Sequence, residues 1–235
     1  MTPQPKTLGG NAMATTARVF TPQTLEDPLA HLPRSVIAEY KKGQDIYSQA
    51  RPSTALYLVI EGKVKVSRTA GDGRQVILDV YQTDEFFGET ALLRVAERGD
   101  QATALENSRL MSWTSAEIED IVTKRPRLAV ALLQLMAQRS IDFGMRIESF
   151  AVDNIARRLA RSLIRFGERL GAPEPDGSLR LSPFTHELLS QYVGTSREIV
   201  THYMNQFRRQ GYLRYSRKGI ILYRDAFRDW LRQNA

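Results

Sequence analysis

The hydrophobic pattern of the chain changes period once, near Ser115, and few folds accommodate that change. Before it, between Ile37 and Trp113, apolar residues come in short runs broken by glycines. In "ALYLVIEGKVKVSRTAGDGRQVILDVYQ" an apolar run is followed by Gly62, by alternating Val64 and Val66, by a Gly71-Asp72-Gly73 turn and by a second run. Period-two alternation with turn residues between the runs predicts antiparallel strands. Short strands at even spacing close into a compact barrel or jelly roll. After Ser115 the spacing becomes helical. In "TKRPRLAVALLQLMAQRSIDFGMRIESF", Leu133, Met136, Ser140, Phe143, Ile147 and Phe150 alternate steps of three and four, the seam of a coiled coil. Leu128, Leu132, Leu135 and Arg139 form the neighbouring stripe. A helix with two adjacent stripes can pack on its own barrel and on a second copy at once, so a homodimer is expected.

A third pattern follows. "THELLSQYVG" is an amphipathic segment with Leu188, Leu189, Tyr192 and Val193 on its apolar side. "GTSREIVTHYMNQFRRQG" is a second, with Val200, Tyr203, Met204 and Phe207 at i, i+3, i+4 and i+7. Gly194 separates them, Leu189 lies five residues before it and Val200 six after, the spacing of a helix-turn-helix. Arg197, Glu198, Thr201, His202 and Asn205 share the polar face of the second helix. Thr195 and Glu198 also have capping-box spacing, so part of the work of Glu198 could be at its own helix N-terminus. Upstream, residues 155–170 read as a basic amphipathic helix, followed by the exposed loop "GAPEPDGS". Downstream, "GYLRYSRKGIILY" reads as a β-hairpin with Arg217 and Lys218 at its tip, the wing of a winged helix, and a surface helix is expected from Asp225.

Charge follows this division. The chain of 235 residues carries a net charge of +7. Residues 155–235 hold 15 Lys and Arg against 7 Asp and Glu, a net +8, which leaves −1 for residues 1–154. The segment with the helix-turn-helix is therefore suited to a polyanion, double-stranded DNA. No apolar run approaches the length of a membrane span, and there is no apolar signal core near the N-terminus, so a cytoplasmic location without membrane contact is expected. The absence of cysteine excludes disulfides and iron–sulfur ligation, and no metal site or cofactor is expected. No G-x-S-x-G, H-E-x-x-H or P-loop occurs, and no enzymatic activity is expected. Four segments result: an N-terminal extension over 1–34 that is expected to be mobile, a β-roll sensor-like domain over 35–124, a dimerisation helix over 125–153 and a winged helix-turn-helix over 154–235. The fold class is α+β.

This order resembles the catabolite activator protein and FNR (CRP/FNR) family of bacterial transcription regulators over about residues 36–224. The resemblance rests on "FFGETALL", similar to the family's signature in its cyclic-nucleotide-binding-like β-roll, and on "VGTSREIVTHYMNQF", similar to its recognition helix. It implies a homodimer on palindromic promoter sites. Arg197 and Glu198 match the pair that reads base edges, and an Arg can donate twice to guanine while a Glu accepts from cytosine. Thr201 shares that face. His202 stands where many members have a second guanine-reading Arg, which implies a different half-site at that base pair. Thr185, His186 and Ser196 match phosphate-contacting positions, which set register without reading sequence. The loop from Gly171 to Ser178 lies where related activators touch RNA polymerase.

For an effector the match is partial. Gly88 and Glu89 align with ribose-holding residues, Arg139 with their partner on the long helix, and Arg98 with the phosphate-binding arginine. Gly99 and Asp100 stand where cyclic-AMP binders have a Ser or Thr and a small residue, and an Asp there would repel a phosphate. Phe143 and Gly144 replace the hydroxyl pair that would meet adenine. A regulator not gated by cyclic AMP is the expectation, with Glu89 and Arg139 as an alternative ion pair clamping barrel to helix. Gating by cyclic AMP or another small effector is one alternative. A cyclic-nucleotide-binding module acting on a protein partner is another, though it leaves the basic C-terminal half unexplained. Haem sensing is not expected, because the one histidine outside the DNA-binding segment is His31.

Overall fold

A computed structural model of the chain describes residues 25–49, 51–52, 54–93, 97–216 and 219–234. Eight strands come first: β1 (Ile37–Tyr40), β2 (Asp45–Tyr47), β3 (Ala55–Glu61), β4 (Lys63–Thr69), β5 (Gln75–Gln82), β6 (Phe86–Phe87), β7 (Gln101–Ala104) and β8 (Ser108–Thr114). They form two four-stranded antiparallel sheets, in the orders β1-β8-β3-β6 and β2-β7-β4-β5. Alternation along β3 shows why two sheets suffice for two cores. Tyr57 and Val59 face the lumen with Val64, Val66, Tyr81 and Phe87, while Leu56 and Leu58 face outward to Trp113, Ile118, Leu128 and Leu132.

The change of period falls at one residue. Thr114 ends β8 and caps α1 (Ser115–Lys124) through a capping box with Glu117. The long helix α2 (Arg127–Val152) follows and spans about 39 Å at the ordinary helical rise. Its inner stripe is buried on the outer face of the β-roll, with Leu128 and Leu132 in that core and Leu135 packed against it. Its seam stripe is left in solvent: Leu133 is 69% exposed and Ile147 68%, and Phe143 is exposed beside them. Part of the segment expected to be mobile is packed. Leu29 and Leu32 lie against the β-roll core, Trp113 donates its indole N–H to Pro33, and Glu26 pairs with Arg127 at 3.3 Å. Residues 1–24 lie outside the described residues.

The C-terminal half begins with α3 (Ile155–Leu170), capped by Asn154. Two short strands, β9 (Ala172–Pro173) and β10 (Leu179–Leu181), precede α4 (His186–Val193) and α5 (Arg197–Arg209). A hairpin of β11 (Leu213–Ser216) and β12 (Gly219–Leu222) joins them in the sheet order β11-β12-β10-β9, and α6 (Arg224–Gln233) ends the fold. The expected surface helix is α6, and it also contributes to the core, because Phe227 is fully buried. Leu159, Leu163, Phe166, Leu189, Val200 and Phe207 fill this core.

The two halves share that core. The ladder between β4 and β5 slips by one residue at Leu78, since Val66 faces Asp79 and the next residue, Ser67, faces Ile77. Ile77 and Val80, three apart, both leave the lumen and pack into the C-terminal core. Carbonyls at the bulge are taken by Arg146 of α2, which donates to Ile77 O at 2.7 Å, to Leu78 O, and to Tyr192 O of α4 at 2.8 Å. Asp79, 6% exposed, accepts two bonds from Arg169 at 2.8 and 2.9 Å and faces Arg165 at 3.5 Å.

Removing the carboxylate would leave two partly buried guanidinium groups with one acid each, Arg165 with Asp142 and Arg169 with Glu85. Asp79→Asn is expected to lower unfolding stability by about 2–3 kcal/mol. Asp72→Asn, which removes an exposed pair with Arg74, should leave it essentially unchanged. Urea unfolding of the two variants side by side checks the contrast.

Candidate nucleic-acid interface

The helix-turn-helix is built from three local devices. The Thr185 hydroxyl caps α4 by accepting from Leu188 N–H at 3.0 Å. Gly194 ends it with φ of +74°, in the left-handed region, and the N–H groups of Gly194 and Thr195 both reach Ser190 O, at 2.8 and 3.1 Å. Ser196 then caps α5 by accepting from Ile199 N–H. The capping box expected between Thr195 and Glu198 is therefore replaced by a cap at Ser196, one residue later. Buried Val200, Met204 and Phe207 hold α5 by its apolar stripe, which turns the opposite face outward. A tight contact reinforces the bend: a Cβ placed on Gly194 would lie 2.9 Å from Phe150 Cε1, near the end of α2. Phe150 therefore leaves the line of the seam and packs on the turn.

The expected DNA-facing residues fall into two groups. Arg197, Glu198 and His202 are exposed on α5. The Glu198 carboxyl is held below the usual carboxylate range by a hydrogen bond from its own backbone N–H and by one from the Ser196 hydroxyl. It stays an ionised acceptor. The second group is committed within the protein. Thr201 donates its hydroxyl proton to Arg197 O at 2.9 Å, so its oxygen accepts from His186 Nδ1–H at 2.8 Å. That assignment leaves His186 Nε2 as an acceptor. Burial, and then the nearby Arg197 charge, push the His186 pKa down, which favours the neutral ring. Asn205 Oδ1 accepts from the Tyr215 hydroxyl at 2.8 Å, tying α5 to the wing. Arg208 lies over the Tyr215 ring at 5.2 Å. The Thr185 hydroxyl keeps its proton free to donate outward. Arg217 and Lys218 lie outside the described residues.

The effector-pocket candidates are gathered at the β-roll, apart from Phe143, which stands on the exposed seam of α2. Arg139 of α2 pairs with Glu89 at 2.7 Å and donates to Phe86 O. Gly88, with φ of +82°, has no room for a Cβ, which would meet Tyr57 Cδ2 at 2.9 Å. Arg98 is 3% exposed and turned inward. Its guanidinium lies 3.7 Å over the Tyr47 ring, donates to Ala55 O at 3.2 Å and to Thr90 Oγ1 at 3.4 Å, and stands 4.0 Å from Asp100. Tyr47 donates to the other Asp100 oxygen at 3.4 Å. Burial raises the Asp100 pKa, and the Arg98 charge opposes it. In the lumen, the Phe87 ring touches those of Tyr47, Tyr57 and Tyr81 at 5.1–6.2 Å, and Tyr47 touches Tyr57 at 5.7 Å.

Sequence reasoning missed Asp79 and Arg146. The signal for the first was available: one carboxylate inside the apolar run "QVILDVYQ". Arg146 gave none, because its partners are backbone carbonyls.

A cyclic-nucleotide-binding-type β-roll, a long helix and a winged helix-turn-helix together define a class of DNA-binding regulator. The comparisons agree with it. Residues 37–125 match the model of the cyclic nucleotide-binding domain, and residues 157–230 match the Crp-like helix-turn-helix domain. The transcriptional regulator SdrP of Thermus thermophilus is 31% identical over 163 residues, covering 69% of this chain and 76% of that protein. A CRP-like cAMP-activated global transcriptional regulator of Mycobacterium tuberculosis is 28% identical over 185 residues, 78% of this chain and 82% of its own length. The solved structure of a CRP/FNR-family transcriptional regulator from Thermus thermophilus superposes with a TM-score of 0.68 at 27% identity, covering 84% of this chain and 98% of that one. FixK2 of Bradyrhizobium japonicum shares the fold, with a TM-score of 0.74 at 20% identity over 83% of this chain and 96% of that one.

The chain belongs to the CRP/FNR family. It is a transcription regulator with a helix-turn-helix DNA-binding domain, not an enzyme, and no helix among the described residues is long and apolar enough to cross a membrane.

Gly194→Ala would force a side chain into the left-handed region and against Phe150. A loss of more than about 1 kcal/mol is expected. Thermal unfolding should show it, and DNA affinity should fall with it, because the same bend aims α5.

Proposed function

We propose that this protein acts as a homodimer on roughly palindromic promoter sites, and that it binds them without cyclic AMP. The observation that carries the DNA-reading part is the outward face of α5, where Arg197, Glu198 and His202 stand exposed opposite a fully buried stripe. Arg197 reads a guanine through O6 and N7, and Glu198 accepts from a cytosine N4–H₂. His202 makes a single contact where an Arg would make two. Ser196, Thr185 and His186 lie beside the phosphate path. Thr185 donates there, and neutral His186 chiefly braces Thr201. Arg217 and Lys218, which follow β11 in the sequence, are assigned to the DNA backbone by the resemblance alone.

The dimer is supported by the exposed seam of α2. Leu133 and Ile147 of that seam are each more than two-thirds exposed and Phe143 between them is exposed as well, a row of apolar side chains seeking a partner. A second copy of α2 buries it and places the two α5 helices about 34 Å apart, in successive major grooves. The hairpin turn between β9 and β10 is then free to touch RNA polymerase.

Independence from cyclic AMP is supported by Arg98. A phosphate would need this guanidinium, which is instead engaged by Tyr47, Asp100 and two further oxygens inside the β-roll. Asp100 adds a carboxylate at the same place. Calorimetric titration with cyclic AMP up to about 1 mM should give no saturable heat. A micromolar isotherm would refute the reading.

Arg197→Ala tests base reading directly. Affinity for the preferred site should fall by about 1–3 kcal/mol per half-site, and affinity for random DNA should change little. Equal losses on both would assign Arg197 to a phosphate.

A further inference from the structure

A cleft of about 590 Å³ opens between α2 and α3, away from both the β-roll lumen and the α5 face, and no step of the proposed function uses it. Six arginines line it against two acids, Asp142 and Glu168. Four of the six have carboxylate partners: Arg161 with Asp153, Arg165 with Asp142 and Asp79, Arg169 with Asp79 and Glu85, and Arg228 with Glu168. Two do not among the described residues. Arg146 spends its terminal nitrogens on backbone carbonyls and feels the Asp79 carboxylate only from beyond ion-pair distance. Arg158 lies over the Phe150 ring at 4.6 Å, with Arg146 at 5.6 Å from the same ring.

A second observation points the same way. The Nε–H groups of Arg146, Arg158 and Arg165 are buried and find no acceptor within the protein. Buried donors without acceptors are unfavourable, more so on charged groups. Arg146, Arg158 and Arg165 all line the cleft, and its remaining wall, with Met145, Ile164 and Leu231, is apolar. Its volume is that of a small-molecule site. Guanidinium groups suit phosphate oxygens through charge-assisted bonds, and the apolar wall suits a carbon body.

We propose that this cleft binds a small phosphorylated organic anion, held chiefly by Arg158. Such a ligand joins α2 to α3, and so joins the dimer seam to the DNA-binding half. The site is separate from the cyclic-nucleotide position at Arg98 and does not depend on how that position is read.

The α5 face also attracts polyanions, so the test must separate the two. The full-length dimer is titrated with inorganic pyrophosphate and with 5′-AMP at constant ionic strength, with sulfate as control, and followed by thermal shift and calorimetry. Saturable binding of at least one phosphate probe, stronger than that of sulfate, is expected for the wild type and for Arg197→Ala. It should weaken at least tenfold in Arg158→Gln and in Ser162→Glu, which puts a carboxylate into the cleft. The two cleft variants perturb the fold differently, so a variant that fails to fold leaves the other to decide. Binding that survives in a folded cleft variant, binding lost in Arg197→Ala, or no probe bound above sulfate would each overturn the proposal.

Discussion

A buried carboxylate must be matched by positive charge, and in this protein the match is made across the joint between the two halves. Asp79 sits on β5 of the β-roll, while the guanidinium groups that satisfy it come from α3 of the DNA-binding half. Such a pair adds little net stability compared with apolar packing, because both partners lose water. Its geometry is nevertheless demanding. Neither half can shift far without stranding a charge, so the pair specifies one arrangement. The slip in the β5 ladder serves the same end by turning Ile77 and Val80 outward and presenting backbone carbonyls to Arg146. Three elements, β5, α2 and α4, thus meet at one guanidinium.

That joint sets where the recognition helix can be. Val200, Met204 and Phe207 hold α5 from below, the Gly194 bend fixes its angle to α4, and Phe150 at the end of α2 presses on that bend. A displacement of the long helix is therefore felt at the helix-turn-helix through direct contact. The polar network above α5, from His186 to Thr201 and from Tyr215 to Asn205, fixes side chains that would otherwise compete for DNA groups. Fewer residues are left to read bases than the polar face alone suggests.

Much of this was legible in the residues themselves. The change of period near Ser115, the two stripes of α2 and the spacing around Gly194 are consequences of burial, and burial writes periodic patterns. The cap of α5 was placed one residue early because Thr195 and Ser196 are both competent caps, and the choice depends on the backbone after Gly194. Residues 25–34 looked like a loose extension because Leu29, Leu32 and Pro33 follow no period, although they pack on the β-roll. The engagement of Arg98 could not be read from spacing. A resemblance places that arginine at a phosphate site, but whether it faces a ligand or Tyr47 depends on contacts with residues some fifty positions away. Asp100 was the one local hint, since an acid next to a phosphate is unfavourable.

The central claim is that the ligand-free dimer already reads DNA. It is tested most directly by selecting binding sites from a random DNA library with the purified full-length protein and no added nucleotide. The account predicts enrichment of one inverted repeat, with half-sites about one helical turn apart and a G·C pair at the position met by Arg197 and Glu198. Enrichment that appears only when cyclic AMP is supplied would contradict it, and would mean that Arg98 leaves Tyr47 and Asp100 to hold a phosphate.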